Sequence, residues 1–285
     1  LHPSPVPVVS IRGVHRWVQA YQPIRLEKTR ELSRRIREQG VYLVTGGTGG
    51  MGFTFARHLA QKFRARLVLI SRTPFPGREQ WEQWIADHDE KEKRSRQIRE
   101  ILELEKTGAR FLVMSADVSN LEQMQGVIDR VKKEFGPVNG VLHTAGVPDL
   151  AGVIRGRTRE MSDRVMAAKI TGTLVLEHVL ADTVLDFLVL FSSWGTVGYP
   201  EKFGQVAYCA ANEFLDLYAY YKNCREGTFT VTINWIDWLE VGMTVDAMNR
   251  KFADKIENFD YKTRLQDAVT PGQGIEIFHR VMERN

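Results

Sequence analysis

The chain has 285 residues, 43% hydrophobic and 26% charged, which is ordinary for a soluble globular protein and ample to bury a core. Its net charge of +4 is only mildly basic and comes without a Lys/Arg tract interleaved with aromatics, which argues against a nucleic-acid binder. Two cysteines, Cys209 and Cys224, exclude a disulfide framework and show no metal-ligand spacing, and neither a signal peptide nor a bilayer-spanning apolar run is visible.

The first residues, Leu1 to Pro7, are proline-rich and do not begin with Met, as in a segment of something longer or a processed or cloned chain. Residues 1–39 hold Trp17–Leu26 and then a basic, helix-like stretch around Arg30–Arg37. From Val41 onward, apolar runs alternate with amphipathic stretches. Strands are expected at Val41–Thr45, Arg66–Ser71, Arg110–Ser115, Gly140–His143, Asp186–Ser192 and Thr228–Asn234. Helices are expected at Phe53–Lys62, Leu121–Phe135, Arg159–Leu180 and Gln205–Cys224, the last holding both cysteines as buried small residues. Residues 78–106 form a charged helical insert, and its run Asp87–Arg94 reads as a solvated helix face. The alternation indicates an α/β fold, a Rossmann-like doubly wound parallel sheet with helices on both faces. Ligands on such sheets bind at the carboxyl ends of the strands.

The most informative stretch lies where the first of these strands ends. Gly46, Gly47, Thr48, Gly49, Gly50, Met51 and Gly52 lead straight into a helix. Backbone N–H groups and the positive end of that helix can then approach a pyrophosphate with no side chain between them. A glycine turn without a ligand is the alternative. The second strand ends on Ser71 and Arg72, where enzymes that prefer NAD commonly place Asp or Glu for the ribose 2′-OH. A hydroxyl and a guanidinium suit a 2′-phosphate, so NADPH is the expected cofactor. Asp117 and Val118, after the third strand, either bond an adenine or, in the case of Asp117, cap the helix beginning at Leu121.

A second constellation comprises Ser193, Tyr208 and Asn212, with Lys169 upstream. Tyr208 and Asn212, four apart, share one helix face. Ketone reduction needs an acid to protonate the oxygen, and a phenol with its usual pKa of ~10 is poorly matched to that task without a nearby cation. Lys169 could supply that charge, and Ser193 could hold the carbonyl oxygen.

The glycine loop, His143, Thr144, Ala145 and Gly146 after the fourth strand, and the Ser/Tyr pair resemble the short-chain dehydrogenase/reductase superfamily. Most members carry Tyr-x-x-x-Lys. Here the lysine stands at Lys169 and an asparagine at Asn212, an exchange similar to that of ketoreductase domains of modular polyketide synthases. Phe191–Ser193, Gly204–Asp216 and Asn234–Met243 match that family in order and position. The resemblance implies NADPH-dependent reduction of a β-ketoacyl thioester carried on the phosphopantetheine arm of an acyl carrier protein. It assigns Tyr208 as proton donor, Ser193 as holder of the oxygen, and Lys169 and Asn212 as supports of the tyrosine and a proton relay. It sets His143, Thr144, Ala145 and Gly146 beside the cofactor. It further implies neighbouring synthase domains, a cytoplasmic location, and residues 1–39 as the last part of a structural subdomain before a catalytic subdomain, 40–285. Residues 244–262, with Met248, Phe252 and Phe259, fall where the family carries a mobile lid.

The chain departs from the family pattern in places. Two extra residues fall between Ser193 and Tyr208, in the loop Gly198–Gly204, which leaves Ser192 as an alternative to Ser193. The stereochemical fingerprints are incomplete: Pro148, Asp149 and Leu150 keep only the middle residue of one class, and Pro200 stands where the other class has tryptophan. No alcohol configuration is assigned. A non-catalytic scaffold domain of a synthase, or a free-standing reductase of a soluble ketone, are the competing readings.

Overall fold

The structure, a computed structural model, describes residues 9–27, 34–198, 203–225, 227–249 and 265–284. Two short strands, β1 (Val9–Arg12) and β2 (His15–Val18), form an exposed antiparallel hairpin. Next come β3 (Val41–Thr45), α1 (Gly50–Phe63), β4 (Arg66–Ser71), α2 (Trp81–Asp87), α3 (Lys93–Lys106) and β5 (Arg110–Ser115). The chain continues through α4 (Leu121–Glu134), β6 (Gly140–His143), α5 (Arg159–Ala167), α6 (Ile170–Val179) and β7 (Phe187–Ser193). It closes with α7 (Val206–Arg225), β8 (Thr230–Trp235), α8 (Met243–Asn249) and α9 (Pro271–Met282).

Strands β3 to β8 form one parallel sheet in the order β5-β4-β3-β6-β7-β8. This is the doubly wound α/β arrangement expected from the alternation. The order reverses between β3 and β6, so the crevice that receives ligands opens there. All five residues of β3 are buried because both of its faces are covered. Tyr42 and Val44 pack into one layer with α1, α3 and α9; Val41 and Leu43 pack into the other with α4, α6 and α7. In the first layer Phe55 meets Phe191 at 5.0 Å, Phe278 at 5.2 Å and Trp238 at 5.8 Å between ring centroids. This aromatic cluster ties the helix behind the glycine loop to the strand that ends at Ser193, and fixes the two halves of the crevice relative to each other.

Several expectations need correction. The helix expected at Arg159–Leu180 is two helices, α5 and α6. At the break the Lys169 N–H bonds Met166 O, three residues back, at 3.1 Å, a tightened turn rather than a continued α-helix. The run Asp87–Arg94 faces solvent as expected, but mostly as the loop between α2 and α3 rather than as a helix face; the helices on either side send Trp81, Ile98, Ile101 and Leu104 into the core. Residues 34–39 are turns and a bend instead of helix, and the rest of that basic stretch lies outside the described residues. Cys209 is half-buried and Cys224 exposed, so neither is the fully buried residue expected. The loop residues 199–202, including Pro200, and the lid residues Phe252 and Phe259 lie outside the described residues.

Candidate active site

Because the six strands are parallel, the segments that follow them gather at one edge. Gly46 follows β3, Ser71 ends β4, Thr144 follows β6 and Ser193 ends β7. The glycine loop is shaped for close approach. Gly46 has φ +67, a conformation that side chains disfavour. A Cβ on Gly52 would sit 2.5 Å from Gly46 O and 2.7 Å from Thr144 Oγ1. Helix α1 follows Gly49, which offers no side-chain cap, and it has no acidic residue in its first turn. Its first N–H groups and positive end are therefore open to an anion.

Arg72 is exposed at the end of β4 and makes no ion pair among the described residues. Ser71 Oγ accepts from Thr73 N at 3.2 Å. A pocket of about 320 Å³ opens between Arg72, the 147–151 segment and the α5 residues Met161, Arg164 and Val165. The open helix terminus, the glycine cradle and the cationic rim fit a dinucleotide bearing an extra phosphate. Asp117 does not cap α4; Asn120 does, accepting from Gln123 N at 2.9 Å. The Asp117 carboxylate instead accepts from the Ser119 amide (2.9 Å) and hydroxyl (2.6 Å), forming the turn that carries the buried Val118.

The loop after β6 is knitted to the end of β3. Thr144 Oγ1 donates to Thr45 O at 2.6 Å, and Ala145 N to Thr45 Oγ1 at 3.3 Å. Gly146 lies against the stem of Lys169. His143 is enclosed, its Nδ1 2.6 Å from Thr45 Oγ1 across the strand register, so its imidazole cannot touch a ligand in the crevice. Burial, and secondly the nearby Lys169, lower its pKa to about 3 and keep it neutral.

Tyr208 and Asn212 lie in the first two turns of α7. The Asn212 amide donates to Tyr208 O at 2.7 Å. Burial raises the Tyr208 phenol above its ordinary value; a hydrogen bond with Ser193 opposes the rise, Asp237 and Cys209 add to it, and Asn212 opposes it weakly. The phenol and Ser193 are therefore neighbours, and the Ser193 hydroxyl also accepts from Gly195 N at 3.1 Å. Ser192, by contrast, turns its hydroxyl to Asn212 O at 3.3 Å and braces the helix backbone. Lys169 is 4% exposed, at the α5–α6 break, and its Nζ donates to Phe191 O at 2.5 Å, beneath the two serines. Burial lowers its pKa to about 8, with Asp216 opposing. The ammonium thus supports the floor of the site, while Ser193 and Asn212 are the groups that depress the phenol's pKa.

Sequence reasoning missed several supporting residues. Gln97, buried in the insert, donates to Thr48 O at 2.9 Å and braces the glycine loop. Asn234 donates to Thr196 Oγ1 and to Asp216 Oδ2, both at 2.8 Å, while Thr196 Oγ1 donates to Ser193 O at 3.1 Å. Asn234 was visible within a matching motif, but Gln97 gave no signal inside a charged insert.

Residues 40–240 match the family model described as the KR domain. Over 248 residues the chain is 32% identical to Polyketide synthase PksM of Bacillus subtilis (strain 168), covering 87% of this chain and 5% of that protein. Over 236 residues it is 35% identical to the 6-methylsalicylic acid synthase of Aspergillus terreus (strain NIH 2624 / FGSC A1156), covering 81% and 13%. The solved ketoreductase domain from the bacillaene assembly line shares a TM-score of 0.75 and 26% identity, covering 96% of this chain and 60% of that one. An N-terminal ketoreductase from the macrolactin assembly line gives 0.69 and 28%, covering 95% and 46%. The chain therefore spans a small part of the synthases and roughly half of the solved ketoreductases it matches. It belongs to the KR family, the ketoreductase domains of polyketide synthases within the short-chain dehydrogenase/reductase superfamily.

Proposed function

We propose that this chain reduces a β-ketoacyl thioester, carried on the phosphopantetheine arm of an acyl carrier protein, to the β-hydroxyacyl thioester with NADPH. The observation that carries the reading is that the Tyr208 phenol lies beside Ser193 and Asn212, on the sheet edge where the uncapped terminus of α1 also opens. NADPH, when bound, supplies a hydride equivalent to the β-carbon. Gly46, Gly47, Thr48, Gly49, Gly50, Met51 and Gly52 would hold its pyrophosphate, Ser71 and Arg72 its 2′-phosphate, Asp117 and Val118 its adenine, and Thr144–Gly146 its ribose side.

Ser193 donates a hydrogen bond to the ketone oxygen and orients it toward Tyr208. The phenol gives its proton to that oxygen as negative charge develops there, so one hydride and one proton convert the ketone to the alcohol. Ser193 and Asn212 stabilise the phenolate that remains, Lys169 holds the strand end beneath them through Phe191 O, and a proton from solvent restores the phenol. A phenol whose pKa is raised by burial holds its proton firmly in the resting enzyme and has hydrogen-bonding neighbours ready for its anion. The neighbouring synthase domains supply the carrier protein.

Incubation of the purified protein with NADPH and a β-ketoacyl carrier protein tests this. Loss of the nicotinamide absorbance with formation of one β-hydroxy enantiomer on a chiral column is the expected result. Binding of NADPH without any reduction makes the domain a scaffold.

A further inference from the structure

The loop after β6 carries a buried charge that the reaction itself does not use. The Asp149 side chain is 0% exposed and that of its ion-pair partner Arg157 is 8% exposed. Arg157 Nη2 donates to both carboxylate oxygens, at 2.7 and 2.6 Å, and to Gly204 O at 3.0 Å. Arg157 Nη1 reaches Ser162 Oγ at 3.4 Å. Asp149 Oδ1 also accepts from Ala151 N at 3.3 Å. Asp149 Oδ2 accepts from Ala207 N at 3.1 Å and from Tyr208 N at 3.3 Å, the opening turn of α7.

A buried ion pair contributes little net stability, because desolvation offsets its attraction. Its retention calls for another benefit, and here the geometry supplies one. Orphan N–H groups at a helix start are satisfied by a carboxylate, which also complements the local dipole. This carboxylate comes from the loop after β6 rather than from the helix's own flank, and one of the amides it holds is that of Tyr208. Both oxygens are committed inside the protein, so Asp149 acts on the helix and not on a substrate.

We propose that Asp149, held by Arg157, is a positioning residue that sets the first turn of α7, and with it the Tyr208 phenol, against the loop bordering the cofactor crevice. The proposal rests on Tyr208 being the proton donor. A displacement of about 1 Å at a reacting group can cost on the order of 100-fold in rate. Asp149→Ala is therefore expected to lower kcat roughly 10- to 100-fold while leaving the KM for NADPH in place. Asp149→Asn keeps one acceptor oxygen and falls between. Arg157→Lys recovers part of what Arg157→Ala loses, and the double alanine variant is no worse than Asp149→Ala alone, because the pair acts as a unit.

The variants are compared in reduction of an N-acetylcysteamine β-ketothioester and in amide hydrogen exchange. The account expects faster exchange over residues 205–210, unchanged exchange over 215–225, and the fall in kcat. Faster exchange with kcat retained makes the ion pair structural only and overturns the proposal; so does unchanged exchange at Ala207 and Tyr208. If Asp149→Ala does not fold, the isosteric Asp149→Asn decides by the same two readouts. A parent protein that fails to reduce the thioester sinks the ketoreductase reading separately, while the exchange data still test whether the carboxylate sets the turn.

Discussion

Lys169 offers the sharpest energetic test. Its pKa falls from 10.5 to about 8, chiefly through burial. At 1.36 kcal/mol per pKa unit, this corresponds to about 3 kcal/mol of penalty for keeping the ammonium charged in the folded protein. Below pH 8 the lysine is charged in both folded and unfolded states, and the whole penalty is present. Between pH 8 and 10.5 the folded state has shed the proton that the unfolded chain still binds, so stability rises with pH. Above 10.5 both states are neutral and the penalty is gone. Lys169→Met removes the charge but leaves Phe191 O without its donor, a cost of about 1–3 kcal/mol that does not depend on pH. Near pH 7 the two effects nearly cancel, and Lys169→Met is expected to be as stable as the parent or slightly more so. Toward pH 10.5 the parent should gain about 3 kcal/mol on the variant. Urea unfolding of both proteins across this range measures the difference directly, with other titrating groups cancelling. A stability gap that stays flat with pH would show that the ammonium is not desolvated, and the reasoning fails.

Other outcomes follow from the same geometry. Ser193→Ala should lower kcat by roughly 100-fold, the scale of losing one donor to a developing oxyanion, while Ser192→Ala stays close to the parent; equal losses would erase the distinction between the two hydroxyls. Arg72→Ala should raise the KM for NADPH far more than that for NADH, and an unaltered preference in steady-state kinetics removes the phosphate clamp. Gly52→Ala places a methyl group 2.5 Å from Gly46 O. The overpacking costs about 1–3 kcal/mol and should weaken NADPH binding on that scale in a fluorescence titration, whereas full affinity would mean that the loop does not cradle the dinucleotide.

Much of this architecture was legible before any coordinates. The β3 and β7 runs are apolar because helices cover both faces of the sheet, and such runs identify themselves. The glycine loop was legible because helix start, strand end and glycine spacing coincide. What escaped reading depends on contacts far away in sequence. Nothing between Ala168 and Ile170 announces a break; the turn sits where Lys169 reaches Phe191 O, on another element. The apolar residues of α3 are outnumbered by charges, so Ile98 and Ile101 could not mark it as core-facing. Sequence spacing could not separate Ser192 from Ser193, since adjacent residues at the strand end turn to different partners. Asp149 read only as a fragment of a fingerprint because the amides it holds lie 58 and 59 positions further along the chain.

The central claim is that the Tyr208 phenol delivers the proton in reduction of a carrier-bound β-ketone. A single-turnover reaction of parent and Tyr208→Phe proteins, each preloaded with NADPH and mixed with β-ketoacyl carrier protein, tests it most directly. The account predicts equal cofactor loading, rapid oxidation by the parent, and a rate at least roughly 100-fold lower for the variant. Equal oxidation rates for the two proteins would contradict it.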